Sequence, residues 1–550
     1  MFIDSQTFTQ NGKTYRRVLL RNSRRVNGKV CHDTIANLSQ CSDEEIEAMK
    51  LALKHKGNLK QLGDIREEVK TRQGLAVGAV WVLNELSKRL GIARALGQSR
   101  EAKLALWMVL ATVIEQGSRL SAVRMAQRHA VCDILNLDSF NEDALYGAMD
   151  WLEERQAKIE KSLFNQRYPG GKPHFYLYDV TSSYLEGDQN ELGEYGYNRD
   201  GKKGKKQIVI GLMTDEEGWP ISTEVFSGNT KDTATVKNQI EKMAKRFGVD
   251  RITFVGDRGM IKRMQISDLS DEDFHYITAI TKPQIEKLIK DGVFQMSLFD
   301  NELVEISDDN IRYILRCNAV RANEVSAMRE SKLDSLNKLV AQQNAYLAKH
   351  PRAQVEVALR KVQGKSKALK INRWAEVKAE ERTLQVEVNP DEKAKESRLD
   401  GCYVIKTDLS ADIASAQVIH GRYKDLAEVE YAFRTMKTTF LEMRGIFVRK
   451  AQRTRAHIFI IMLAYLLAYH LRRLWHDVEL TIEEGIQELA DICSTEVVIA
   501  GKITCQTIPE PRKLGKALLT KTGISLPHSI PCRNVEVATR KKLVPERKLK

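Results

Sequence analysis

Between about residues 75 and 165, apolar positions recur every three or four residues, as in 75–90, 102–115 and 144–163, the spacing that lines one face of an α-helix. A run of helices is predicted there. Before it, residues 1 to about 60 read as short strands and turns followed by a helix, because Ser42 precedes the acidic turn Asp43-Glu44-Glu45 and can cap it. After it the period changes. Residues 174–180 (HFYLYDV) are a compact apolar and aromatic run suited to a buried strand, and two β-rich runs flank Asp215-Glu216-Glu217-Gly218 as a hairpin. Val236, Ile240, Met243 and Phe247 mark an amphipathic helix closed by Gly248, and 252–256 and 275–280 read as further strands.

The order is strand, two-stranded hairpin, helix, strand, strand. That order is the opening of a ribonuclease-H-like mixed sheet, an α/β fold, though other α/β folds begin similarly. Residues from about 283 to 400 break the rhythm with a strand pair around RYILRC, a long polar helix striped by Leu333, Leu336 and Val340, and the strand TLQVEV, so they read as an inserted β-rich and helical module. GCYVIKTDL returns to a strand, residues 412 to 475 are helical, and Thr481 with Glu484 forms a capping box for one more helix. The expected division is 1–60, a basic arm with short strands; 61–165, a helical domain; 166–282 and 401–475, two parts of the core; 283–400, the insertion; and 476–550, a helical region with a basic tail.

Composition narrows the class. The 550 residues carry 87 Lys and Arg against 73 Asp and Glu, a formal net charge of +14, with 42% hydrophobic residues, so the chain can bury a core and favours a polyanionic partner. The excess is clustered at Lys13–Lys29, at Lys202, Lys203, Lys205 and Lys206, and at Arg434, Lys437, Arg444, Arg449, Lys450, Arg453 and Arg455. Nucleic acid is the partner such clusters suit, and the helical domain is a candidate for docking on it. Eight scattered cysteines show no zinc-ligand spacing and read as reduced thiols. The polar N-terminus is not a secretory signal, and the apolar run 458–469 is too short to span a bilayer and reads as a buried core helix, so a cytoplasmic protein with no membrane partner is expected.

The candidate chemistry is carried by acids. Asp179 at the end of the first strand and Asp257 just after the fourth would emerge on one sheet edge, where paired carboxylates can hold divalent metal. In the helix GRYKDLAEVEYAFRTMKTTF, the residues Tyr423, Glu430 and Lys437 are spaced by seven and fall within about 40° of one another, beside the apolar stripe. Glu430 therefore lies at the border of the buried face, while Glu428 is turned away.

These residues resemble the insertion-sequence DDE transposases marked by a Y-(2)-R-(3)-E-(6)-K signature, read here as Tyr423, Leu426, Glu430 and Lys437. Leu426 stands at the Arg position, with Arg422 and Arg434 as neighbouring substitutes. YDVTSSYLEG, GYNRDGKKGKK, SGNTKDTAT and FVGDRGM are similar to the family as well, over roughly 165 to 475. The 173 positions from Asp257 to Glu430 match its habit of holding an inserted domain there. The resemblance implies catalytic, metal-holding Asp179, Asp257 and Glu430 with two Mg²⁺ ions, for which Mn²⁺ can substitute. It implies phosphate contacts from Tyr423, Lys437, Arg434 and Arg444. The partners it implies are double-stranded DNA, as terminal inverted repeats and target, and a second copy of the chain in a synaptic homodimer on the bacterial nucleoid. A metal-dependent nuclease on the same fold, or a non-catalytic DNA-binding descendant, are the alternatives that cleavage and strand-transfer assays separate.

Overall fold

A computed structural model describes residues 1–57, 69–249, 252–258, 274–300, 302–438, 440–443, 446–499, 502–531, 533, 535–537 and 539. The basic tail from 540 onward and Arg444 lie outside the described residues. The chain divides into two compact units.

The first unit comprises Met1–Ala76, Ile492–Glu510 and Pro527–Arg533. Strands β1 (Phe2–Gln10), β2 (Lys13–Val26) and β3 (Lys29–Asn37) form an antiparallel meander. Asn11-Gly12 and Asn27-Gly28 make its two turns, all four residues at positive φ (54°, 73°, 48° and 79°), the conformation two-residue hairpins require. Helix α1 (Asp43–Lys54) starts at the Ser42–Glu45 capping box and buries Ile46. Strand β4 (Val69–Ala76) pairs with β15 (Cys493–Ile499), which continues into β16 (Lys502–Thr507) and β17 (Ser529–Ile530). The sequence pattern misses this sheet, because polar VKTRQGLA acquires its strand partner more than 400 positions away.

The second unit comprises Val77–Asp491, Pro511–Leu526 and Asn534–Lys550. It opens with α2 (Gly78–Arg89), α3 (Ile92–Leu96), α4 (Arg100–Ile114), α5 (Arg119–Ala126), α6 (Val131–Leu135) and α7 (Glu142–Arg167). Ser99, Ser118 and Asn141 cap α4, α5 and α7 through their side chains. The sheet follows as β5 (Phe175–Tyr184), β6 (Gln207–Asp215), β7 (Pro220–Ser227), α8 (Asp232–Lys242), β8 (Ile252–Gly256) and β9 (Phe274–Ala279). Next come α9 (Lys282–Lys290), β10 (Val304–Asp308), β11 (Ile311–Cys317), α10 (Ala319–Lys349), α11 (Val355–Leu369), β12 (Ala375–Glu380), β13 (Thr383–Val388), α12 (Pro390–Ser397) and β14 (Cys402–Thr407). Helices α13 (Ala416–Lys424), α14 (Leu426–Lys437), α15 (Ala451–Leu474), α16 (Ile482–Ala490) and α17 (Lys513–Thr522) complete it.

Eight strands make one mixed sheet in the order β10-β11-β14-β9-β8-β5-β6-β7. β5, β6 and β7 are an antiparallel meander, and β8 and β9 lie parallel to β5. Tyr176, Tyr178 and Val180 alternate onto one face with Val236, Met243, Phe247 and Phe254. The alternate residues, Asp179 among them, point to the opposite face, where α14 packs on β5 and β6. The β10–β11 hairpin extends this sheet, whereas α10, α11 and the β12–β13 hairpin enclose a separate core around Trp374, Leu336 and Val362.

Helix α15 is the one described helix long and apolar enough to cross a membrane, and its side chains are buried inside the unit from Ile458 to Tyr469. The core reading of that run holds. Two details differ from the pattern. Strand β5 continues to Tyr184 because Thr181, Ser182 and Ser183, polar in sequence, are buried against β6, so Asp179 is mid-strand. The signature helix is interrupted at Asp425, which closes α13 and opens α14 while keeping helical angles (φ −63°, ψ −13°). Tyr423 and Glu430 therefore belong to successive helices.

Candidate active site

The parallel register between β5 and β8 runs from Phe175 opposite Thr253 to Tyr178 opposite Gly256. Asp179 is the next residue of β5, and Asp257 is the first residue after β8. Where the pairing with β8 ends, β5 goes on alone against β6, and Asp257 leaves the sheet into a turn in which its carboxylate accepts the Arg258 N–H at 2.6 Å. Asp257 is exposed; Asp179 is partly buried.

Packing of α14 on β5 sets the third acid. Leu426, Val429, Phe433 and Met436 are buried, and Glu430 emerges beside that stripe into solvent. Glu428 instead pairs with Arg472 of α15 at 3.3 Å, as its angle on the helix demands. Asp179 feels both of the other acids. Burial above all, then the charges of Asp257 and Glu430, pushes its carboxyl up to about 7, against the opposing pull of the Val180 N–H (2.7 Å) and the Arg199 guanidinium. Tyr423 faces the same group: its phenol is raised by burial first and then by Asp257 and Glu430, with Arg258 opposing. Asp257 and Glu430 thus act electrostatically on both Asp179 and Tyr423.

Other predicted residues fare differently. Lys437 is engaged with Asp200 at 2.9 Å, in a pair whose side chains are 12% and 3% exposed. Arg434 is exposed on α14. Leu426 is buried, and Arg422 is engaged by Glu216 (3.1 Å) and Asp425 (3.0 Å). Part of the basic cluster is structural: Arg453 grips Asp150 of α7 through two bonds (2.8 and 2.7 Å), and Arg455 lies 3.7 Å from Glu153. Arg199 was not singled out from the sequence; its Nη2 donates to both carboxylate oxygens of Asp232, at 2.8 and 2.7 Å, and its charge acts on Asp179. Its signal was the GYNRDG motif, whose Arg-Asp pair supplies both Arg199 and Asp200.

Among the described residues, no three Asp, Glu, His or Cys side chains already converge to metal-ligand distance. The donor chemistry nevertheless fits a hard divalent cation, since the charges of Asp257 and Glu430 raise the proton affinity of Asp179 and a cation beside these carboxylates would relieve that repulsion.

Residues 170–467, more than half of the chain, match the family model for the transposase DDE domain. The chain belongs to the DDE transposases. Residues 3–68 match the N-terminal domain of the IS1634 family transposases, which places it with the insertion-sequence enzymes that move DNA. No curated protein matches. Among solved structures, a piggyBac transposase synaptic complex with hairpin DNA is similar at 10% identity, over 70% of this chain and 69% of that one, with a TM-score of 0.33. A Mos1 transposase paired-end complex with a left transposon end is similar at 11% identity, over 33% and 58%, with a TM-score of 0.14. The family assignment rests on the sequence models.

Proposed function

We propose that Asp179, Asp257 and Glu430 form the catalytic centre at which this transposase cuts DNA at the transposon ends and joins the freed 3′ ends to target DNA. One observation carries this reading: Asp179 and Asp257 directly follow the last paired residues of two parallel neighbouring strands, and the charge of Glu430 is felt at Asp179. A meander of three strands followed by two parallel to its first supports a ribonuclease-H-like core, with 283–400 as the insertion.

The three carboxylates would hold two Mg²⁺ ions, with Mn²⁺ able to replace them. Such a pair, when bound, activates an oxygen nucleophile and offsets charge on the phosphate. Tyr423 offers its hydroxyl beside Asp257 and Glu430, positioned to hold a phosphate next to the scissile bond. Arg434 reaches the same strand from the exposed side of α14, and Arg444 follows on the chain. Lys437 acts through Asp200, fixing the segment that carries Arg199. The substrates are terminal inverted repeats and target DNA, brought together by a homodimer in the cytoplasm, on the nucleoid.

The test is cleavage and strand transfer by Asp179→Asn, Asp257→Asn and Glu430→Gln. Each should lower both reactions by at least about 10³-fold while DNA binding is retained. Turnover at the wild-type rate by any of them sinks the assignment.

A further inference from the structure

Away from the acids, the second unit contains a cavity of about 210 Å³ between the N-terminus of α5 and the chain that follows α14. Gln116, Ser118, Arg119, Tyr146, Phe447 and His457 line it. Arg119 is 8% exposed, and its Nη1 has no hydrogen-bond partner among the described residues. Among the described residues no carboxylate forms an ion pair with it: Glu442 also lines the cavity but is exposed and makes none with Arg119. Burial, with Arg119 beside it, holds His457 down at about 3, so that ring is neutral and adds no charge. A buried guanidinium without a counter-ion costs several kcal/mol. An anion entering the cavity would offset that cost.

The walls are held in place. Glu186 N–H donates to the Ile446 carbonyl at 2.9 Å, Glu191 N–H to the Arg449 carbonyl at 3.0 Å, and Asn190 Nδ2 to the Val448 carbonyl at 2.5 Å. The mouth carries Phe447, 77% exposed, a surface for a ring or sugar. Arg453 lies over the Tyr146 ring at 4.9 Å, and Arg449 and Lys450 are exposed on the same stretch. Arg449 and Lys450 thus put positive charge near the mouth and Arg119 puts it inside the cavity, while Arg453 is already paired with Asp150.

We propose that this cavity is a phosphate-binding pocket, in which Arg119 Nη1 takes the oxygens of one phosphate while Phe447 covers the group attached to it. A phosphate of the DNA strand and a free phosphate ion share this chemistry; naming the strand as the source rests on the transposase reading above.

The test follows thermal unfolding of the full chain during a titration with inorganic phosphate, at ionic strength held constant with NaCl. Wild type should gain a saturable rise in Tm. Arg119→Met should raise the apparent Kd about tenfold or more, since a charge-assisted hydrogen bond is lost. It should also begin from a higher phosphate-free Tm, because the uncompensated charge is gone. Arg119→Lys, which keeps the charge, should retain saturable binding. A short single-stranded oligonucleotide that displaces phosphate assigns the pocket to the DNA strand; phosphate that is not displaced assigns it to a free ion. Equal responses in wild type and Arg119→Met, or no calorimetric binding of phosphate by wild type, overturn the proposal. Because no cleavage is read, this result is independent of Asp179: Asp179→Asn should abolish turnover and leave the phosphate titration unchanged.

Discussion

At the residue scale, several side chains are kept in states that water would not choose. Asp179 holds its proton up to about 7 against 3.8 in the unfolded chain, so its folded form resists ionisation. The folded state therefore binds more protons between those values and loses stability as pH rises from 3.8 to 7. In chelator, Asp179→Asn should be more stable than wild type at pH 8 and close to it near pH 4, as read by denaturant unfolding at the two pH values. His129 has the opposite sign. It is 7% exposed with no partner at Nδ1 among the described residues, and burial lowers it to about 4 from 6.5. The unfolded chain takes up this proton first, so stability falls as pH drops from 6.5 to 4, by about 1.4 kcal/mol per unit for one group. His129→Gln should flatten that limb of the stability curve, and an unchanged limb would refute it. Lys437 with Asp200 is the third case: Lys437→Met leaves a buried carboxylate without this cation, and chemical unfolding should show a loss of about 3 kcal/mol or more.

At the scale of elements, close approaches of backbone explain motifs that carry no chemistry of their own. A Cβ on Gly228 would sit 2.0 Å from the Gln207 carbonyl, and one on Gly196 would sit 2.1 Å from the Gly228 carbonyl. The glycines of GYNRDG and SGNTKDTAT thus pack backbone to backbone and fix the loop that delivers Arg199 and Asp200. Gly228→Ala should destabilise by about 1–3 kcal/mol, measured by denaturant unfolding, and lower turnover with it. Alternation along β5 and the apolar stripe of α14 were both legible, because each is a local period. The end of β5 was not: Thr181, Ser182 and Ser183 look solvated in sequence and are buried only because β6 lies beside them. Nor was the break at Asp425 visible, since nothing local marks it and the residue keeps helical angles.

For the whole molecule, charge explains the partner only after pairing is taken into account. Arg453 and Arg455 are engaged by α7 and Lys205 by Glu186, while Arg16, Arg21 and Arg24 of β2 are paired with Asp43, Asp4 and Asp33. Lys13 and Arg17 share a face of β2 with the stacked Phe8–Tyr15 pair, and they and Arg25 make no ion pair among the described residues. DNA affinity should fall steeply with salt, and removing both Arg17 and Arg25 should reduce the log–log slope by about 1.8. An unchanged slope would assign the contacts elsewhere. The sequence by itself determined which residues could do the chemistry, where the periods change, the family to which the chain belongs and the sign of its partner, because these follow from side-chain type and spacing alone. Tertiary structure decided that Asp257 and Glu430 act on Asp179, which cations are already spent on internal partners and that Arg119 Nη1 is buried without one among the described residues. Those are matters of distance and dielectric, and neither exists until strands and helices far apart in the chain are packed together.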